Sequence, residues 1–159
     1  MSAKTDVMPA AAREVTITRV FDAPRDLVFR MWTDPAHVAR WWGPKCFTNP
    51  VCEVDARPGG ELRIVMQAPD GATYPMIGVF QHVAAPERLV FTNIAVDAQG
   101  NHILEGLTTV TFADRGGKTE LTLQTSATAV VGYAARMLEG MDEGWSQSLY
   151  CLADHLATL

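Results

Sequence analysis

The end of the chain, from about residue 131 to residue 156, constrains the fold most. Its apolar residues recur at spacings of three and four, the period of one face of an α-helix: Ala134, Leu138, Met141, Trp145, Leu149, Leu152 and Leu156. A row of small residues, Gly140, Gly144 and Ser148, runs beside this stripe. Glycine inside a helix costs about 1 kcal/mol relative to alanine. Either a neighbour approaches the helix backbone closely there, or the missing side chains leave a hollow.

The part of the chain before this helix is dominated by strands. From Glu14, β-branched and apolar residues alternate as far as Phe21, which predicts a first strand. Six later segments have strand patterns and are separated by Gly, Pro and Asp turns: 51–55, 61–67, 73–83, 87–96, 104–112 and 119–125. Because short turns join them, these strands are expected to form an antiparallel sheet.

Two short helices are predicted between the first and second strands. Pro24 starts the first, Thr33-Asp34-Pro35 interrupts the helix and starts the second, and Gly43-Pro44 ends it. We call residues 22–44 the helical elbow. Trp41 or Trp42 at its end could close the mouth of a cavity.

These elements predict one α+β fold. A terminal helix of about 26 residues would be ~39 Å long, enough to lie along a strongly curved sheet. The expected architecture is a helix-grip: an antiparallel sheet of six to seven strands wrapped around the C-terminal helix, with the elbow closing one end. We expect residues 1–12 to be a disordered leader and residues 13–159 a single domain.

The distribution of charge and the cysteine content limit the partners and the cellular compartment that we expect for this chain. The net charge of −5 is spread without a basic cluster, so neither nucleic acid nor a membrane surface is an expected partner. The three cysteines, Cys46, Cys52 and Cys151, are expected to be thiols in a cytoplasmic protein. The four histidines lack metal-ligand spacing, and no cofactor is predicted.

Five blocks of sequence occur in an order typical of one family. They are FDAPRDLVFRMWTDPAHVARWWGP at 21–44, VDARPGGELRIVM at 54–66, IGVFQHVAAPERLVFT at 77–92, VTFADRGGKTELTL at 110–123 and GMDEGWSQSLYCLADHL at 140–156. Together they resemble the SRPBCC (START/Bet v 1-like) superfamily, in the bacterial branch similar to the C-terminal domain of the activator of Hsp90 ATPase. The resemblance implies the helix-grip fold with a deep apolar cavity between helix and sheet.

Bulky, adaptable side chains on inward faces are the candidates for lining such a cavity. They are Trp42, Met66, Met76, Phe80, Phe91, Met137, Met141 and Trp145, with Asn93 as a polar member. Each apolar member is equally compatible with a plain core position. His82 and Asn93 could orient a ligand if they face inward, but a bulge in 73–83 would reverse the facing of His82.

The function predicted first is non-catalytic binding of a small hydrophobic or aromatic molecule. The resemblance also implies an alternative, a module that interacts with an Hsp90-type chaperone. A third interpretation is an enzyme of the cyclase or hydrolase kind, for which the sequence offers only Cys46 near His37 as a weak nucleophile and base. The exposed strand edges are compatible with a homodimer.

Overall fold

The computed structural model describes residues 11–159. In that range one antiparallel sheet of seven strands has the order β1-β7-β6-β5-β4-β3-β2. The strands are β1 (Ala12–Phe21), β2 (Thr48–Val54), β3 (Glu61–Gln67), β4 (Thr73–Ala84), β5 (Arg88–Val96), β6 (His102–Arg115) and β7 (Lys118–Ala129). Each strand from β2 to β6 pairs with the next in sequence, and β1 adds to the sheet at the free edge of β7.

The helices occupy the two predicted places. Helices α1 (Arg25–Thr33) and α2 (Pro35–Trp41) follow β1, and a short 3-10 turn (Gly132–Ala134), α3 (Ala135–Glu139) and α4 (Met141–Leu156) follow β7. Asp34 sets the break in the elbow, because its carboxylate accepts a hydrogen bond from the backbone N–H of Ala36 at 3.0 Å and caps α2. The predicted α+β helix-grip fold, with two short helices after the first strand, is confirmed.

Two details at the ends of the chain differ from the prediction or lie outside it. The first strand begins at Ala12 rather than Glu14, since β7 is longer than predicted and Ala12 pairs with Thr128. Most of the predicted leader, residues 1–10, lies outside the described residues.

The C-terminal helix is broken, and the prediction of one continuous helix over 131–156 is wrong. Gly140 separates α3 from α4 with φ −92° and ψ 5°. Arg13 of β1 provides the physical reason, since its guanidinium donates to the carbonyl oxygens of Leu138 and Glu139 at 3.0 and 3.1 Å. It also pairs with Asp142 at 2.8 Å. The arginine therefore donates hydrogen bonds to the last carbonyl oxygens of α3 and also pairs with a carboxylate in the first turn of α4.

The core lies between α4, the elbow and the concave face of the sheet. Leu149 and Leu152 of α4 are fully buried in one apolar cluster with Ile64 of β3 and Leu123 of β7. A smaller cluster holds Ala127, Ala129, Ala134 and Leu138, and Met141 packs against both clusters. The hydrophobic face of α4 is thus seated on the sheet as the stripe predicts, over 16 residues or ~24 Å.

Candidate functional site

A cavity of about 210 Å³ lies between α4, the end of the elbow and the inner face of β3, β4 and β5. Three elements contribute side chains to its wall, and their members are Trp42, Gly43 and Pro44 from the elbow, Met66, Met76 and Asn93 from the sheet, and Met141, Gly144, Trp145 and Ser148 from α4. None of these lining residues, within the described chain, is ionisable. The site is therefore an apolar space with an amide and a hydroxyl in its wall.

The small residues of α4 create this space. A β-carbon built at Gly144 would meet no atom within 4 Å, and Ser148, one turn further along, is 5% exposed. A close backbone approach would have placed atoms there, so the row of small residues leaves a hollow. Gly140 also faces open space, but it does not line the cavity.

The elbow supplies one wall in a fixed conformation. Gly43 has φ +98°, and a β-carbon at that position would lie 2.8 Å from the sulfur of Met66. The backbone angle therefore favours glycine, while a larger residue would also displace the flexible Met66 side chain from the cavity wall. Asn49, which lies in β2, holds the end of the elbow in place, because its Nδ2 donates to the carbonyl oxygens of Trp42 at 2.8 Å and Ala39 at 3.1 Å.

Aromatic packing holds the two tryptophans of the cavity. The rings of Trp42 and Trp145 meet edge to face with centroids 5.4 Å apart. Trp32 of α1 stacks on Trp145 at 6.3 Å and lies edge to face with Trp41 at 4.6 Å. Trp32 and Trp41 are buried, and their packing restricts the movement of the tryptophan rings that line the cavity.

Asn93 brings a polar group to the inner face of β5. Its Oδ1 accepts a hydrogen bond from the hydroxyl of Thr108 on β6 at 2.7 Å. His82, whose inward facing depended on an unbroken strand, is exposed. The register of β4 against β5 shifts between Phe80 and His82, so a bulge reverses the facing of the residues that follow.

The structure brings six of the nine predicted cavity residues to the wall: Trp42, Met66, Met76, Asn93, Met141 and Trp145. Phe80 and Phe91 do not line it. They are 2% exposed and pair across β4 and β5 with ring centroids 5.8 Å apart, which places them in the solid core beside the cavity. Met137 is 38% exposed in α3 and lines a separate surface pocket with Tyr74 and Tyr133, because the chain breaks at Gly140.

Four lining residues are absent from the predicted set. Gly144 and Ser148 belong to the small-residue row, so their signal is present in the helical spacing. Gly43 and Pro44 end the elbow, and their sequence signal is that of a helix stop alone.

Comparison with known proteins places the chain in a family. A family model described as activator of Hsp90 ATPase homolog 1-like protein (AHSA1) matches residues 22–157. The chain belongs to the AHSA1 family. The resemblance seen in the sequence blocks is thereby confirmed. No curated protein matches this chain.

Solved bacterial structures share the AHSA1-family fold. A protein of Chromobacterium violaceum is 28% identical with a TM-score of 0.74, covering 89% of this chain and 94% of that one. An AHSA1 protein of Silicibacter pomeroyi is 25% identical with a TM-score of 0.76, covering 92% and 99%. A protein of Arthrobacter aurescens reaches a TM-score of 0.79 at 24% identity, covering 92% and 87%, which shows the fold alone.

A wider groove of about 730 Å³ lies on the surface of this AHSA1-family chain, between α2 and the end of α4. His37 Nδ1 lies 2.9 Å from His155 Nε2 there, and Arg40 and Asp154 also line the groove. Burial, then His37 and Arg40, lowers the pKa of His155 below its ordinary value. The groove is larger than the cavity but is lined by charged and titratable side chains, so it lacks the uncharged apolar wall that suits a neutral small molecule.

The described residues form neither the Cys46–His37 pair nor a cluster of metal ligands. The His37 ring hydrogen-bonds to His155, and among the described residues no hydrogen bond joins it to Cys46, so the Cys46–His37 pair considered from the sequence is not formed. Residues 11–159 contain no group of three or more His, Cys, Asp or Glu side chains placed to hold a metal ion. None of the helices in this range combines the length and apolar character that a bilayer span requires.

Proposed function

We propose that this AHSA1-family protein binds a small, neutral, hydrophobic or aromatic molecule in the cavity between α4 and the sheet. The observation that carries the proposal is the hollow at Gly144 and Ser148, opposite Asn93 and walled by methionine and tryptophan. A protein interior normally closes such space, because each lost methylene contact is unfavourable. Space retained beside a glycine that weakens its own helix favours a binding role.

The volume limits the ligand to a small molecule. An apolar cavity of about 150 Å³ is large enough to bind benzene, whereas drug-sized ligands occupy about 300–1,000 Å³. At about 210 Å³, the cavity suits one substituted ring or two fused rings. Since its described lining has no ionisable side chain, an ionic ligand would lose its hydration without a charged partner. The methionines provide a wall that can adjust to rings of different outline.

The affinity expected for such a ligand is moderate. Molecules of this size bind apolar cavities with free energies of about −4 to −7 kcal/mol, which correspond to Kd values of about 1 mM to 10 µM. At a ligand concentration tenfold above Kd, the folded state gains about 1.4 kcal/mol. For a chain of 159 residues this raises Tm by about 3–6 °C.

Thermal unfolding with a panel of small neutral aromatic compounds tests the proposal. We expect one- and two-ring compounds to raise Tm in proportion to the logarithm of their concentration. Four-ring compounds of similar polarity serve as controls and should leave Tm unchanged, because they exceed the cavity. The absence of a shift with every small compound would contradict the proposal.

The cytoplasm is the proposed location of this binding. Cys46, Cys52 and Cys151 are all free thiols, which suits a reducing compartment. Because the described cavity wall lacks an ionisable group, we do not propose an acid–base reaction there. A homodimer stays a prediction, and sedimentation velocity would test it.

A second candidate function is interaction with an Hsp90-type chaperone. Its support is an apolar patch on the convex face of the sheet, formed by Ile77, Val79 and Leu107, which are 36%, 40% and 40% exposed. Exposed apolar patches on a sheet often mark protein contacts. Val79→Glu should then remove the protein from a pull-down with the host's Hsp90, while Gly144→Leu should leave the complex intact. No complex with the wild-type protein would end this candidate.

A further inference from the structure

Asn93 is the end of a chain of hydrogen bonds that crosses three strands. The hydroxyl of Thr108 donates to Asn93 Oδ1 at 2.7 Å, and the hydroxyls of Thr108 and Thr125 lie 2.8 Å apart. Thr108 and Thr125 are 0% and 1% exposed. The chain therefore begins on β7 in a dry interior, crosses β6 and ends on β5 at the cavity wall.

The direction of this chain follows from counting hydrogens. Each threonine hydroxyl has one hydrogen to donate. If Thr125 donates to Thr108 and Thr108 donates to Asn93, both hydrogens are used. In the reverse direction the Thr125 hydrogen would have no acceptor, because within residues 11–159 its hydroxyl bonds to Thr108 alone. A buried, unsatisfied donor is strongly disfavoured.

This direction fixes the orientation of the Asn93 carboxamide. Its oxygen faces Thr108, so its Nδ2, which has no partner among the described residues, is free to donate toward a ligand. Gly106 makes room for this arrangement, since a β-carbon there would lie 2.8 Å from Nδ2. The amide therefore presents N–H groups, rather than a carbonyl oxygen, to the cavity.

We propose that the cavity selects molecules that carry a hydrogen-bond acceptor, such as an aryl ketone, over donors and hydrocarbons of the same size. This inference rests on the proposed function, because it concerns the same cavity. An acceptor oxygen placed at Asn93 Nδ2 would gain a hydrogen bond, whereas a donor such as an indole N–H would face another donor. Ser148 also lines the cavity, and its hydroxyl can donate to one class of ligand or accept from the other, so the difference between the two classes comes from Asn93.

Three probes with equal numbers of non-hydrogen atoms separate the possibilities in isothermal titration calorimetry. Acetophenone only accepts, indole only donates, and α-methylstyrene has the shape of acetophenone but does neither. We expect acetophenone to bind about five- to tenfold more tightly than α-methylstyrene, and indole to bind less tightly than acetophenone. Equal affinities, or a preference for indole, would overturn the inference.

Two matched variants test the role of the hydrogen-bond chain. Thr108→Val removes the hydroxyl that orients Asn93, so the ratio of acetophenone to α-methylstyrene affinity should fall to about one to two. Thr125→Val is the control, because Thr108 still donates to Asn93 and the ratio should persist. Both variants replace a buried threonine by its isostere; Thr108→Val carries the larger folding penalty, because it leaves the Thr125 hydroxyl without an acceptor, so the test compares affinity ratios rather than stabilities. Equal effects of the two, or no effect of Thr108→Val, would contradict the mechanism.

Asn93→Ala gives an independent test if Thr108→Val does not fold. It should abolish the preference for acetophenone while retaining the binding of α-methylstyrene, and an unchanged preference would overturn the inference. If all three probes bind the wild-type protein without preference, this inference fails and the proposed function stands. If none of the probes binds, this inference fails, and the panel of small aromatic compounds decides the proposed function separately.

Discussion

Replacing Gly144 by leucine should have opposite effects on stability and on binding. The position lies in the first half of α4, where a β-carbon would point into open space with the cavity in front of it. Leucine would extend into that space, against Met141 and Trp145, and would occupy the volume proposed for the ligand. The variant therefore removes the site without cutting any contact that the protein makes.

The expected gain in stability has two parts. Glycine in a helix interior is about 0.8–1.0 kcal/mol less favourable than a good helix former. Burying a leucine side chain contributes about 1.5–3 kcal/mol, reduced by about 1–3 kcal/mol where the fit forces neighbours to shift. A net gain of about 1–2 kcal/mol is expected, which raises Tm by about 2–4 °C for each kcal/mol in a chain of this length.

Thermal unfolding and calorimetry with acetophenone measure the two effects on the same samples. We expect Gly144→Leu to raise Tm in buffer and to abolish the ligand-dependent shift. Gly140→Leu is the matched control, since this glycine also faces open space but does not line the cavity. It should keep the wild-type affinity.

A Gly144→Leu protein that binds acetophenone as tightly as wild type would refute the placement of the ligand. A large loss of stability in Gly144→Leu would refute the hollow itself, because it would mean that atoms already occupy the space. Loss of binding in both glycine variants would indicate a general effect on α4 rather than filling of the cavity.

Three further predictions concern the elbow, the groove and the thiols. Asn49→Leu should destabilise the fold by about 1–3 kcal/mol and weaken ligand binding, since it releases the elbow; urea unfolding and calorimetry measure both. His155 has a pKa lowered by burial and by His37, so the unfolded chain binds the proton more readily and stability should fall as pH drops below about 6.5. Thermal melts should show a smaller fall in His155→Gln. Burial raises the pKa of Cys52 to about 11, so at pH 8 iodoacetamide should modify the exposed Cys46 well before Cys52, as followed by mass spectrometry.

The fold can be read from the sequence because its local signals agree with one another. Alternation and flanking turns predict Glu61–Gln67 with the bounds that the structure has. The break at Gly140 cannot be read, because it depends on Arg13, more than a hundred residues earlier in the chain. Helical periodicity continues across Gly140, and only the tertiary contact reveals that the helix stops.

The sequence predicts which residues line the candidate site where the two-residue period of a strand determines the face on which each side chain lies. The distance of Asn93 from Phe91 predicts that both share a face, and no bulge intervenes in that part of β5. The facing of His82 stays open at the level of sequence, because the bulge after Phe80 leaves no clear mark there. The Thr108–Thr125 contact is also beyond reach, since it requires the register of β6 against β7.

A crystal structure of the wild-type protein soaked with acetophenone tests the central claim most directly. We expect the aromatic ring in the hollow beside Gly144, against the side chains of Trp42 and Trp145, with its carbonyl oxygen about 2.7–3.2 Å from Asn93 Nδ2. A hollow filled by the side chains of Met141 or Trp145, or a ligand bound only in the groove beside His155, would contradict the claim.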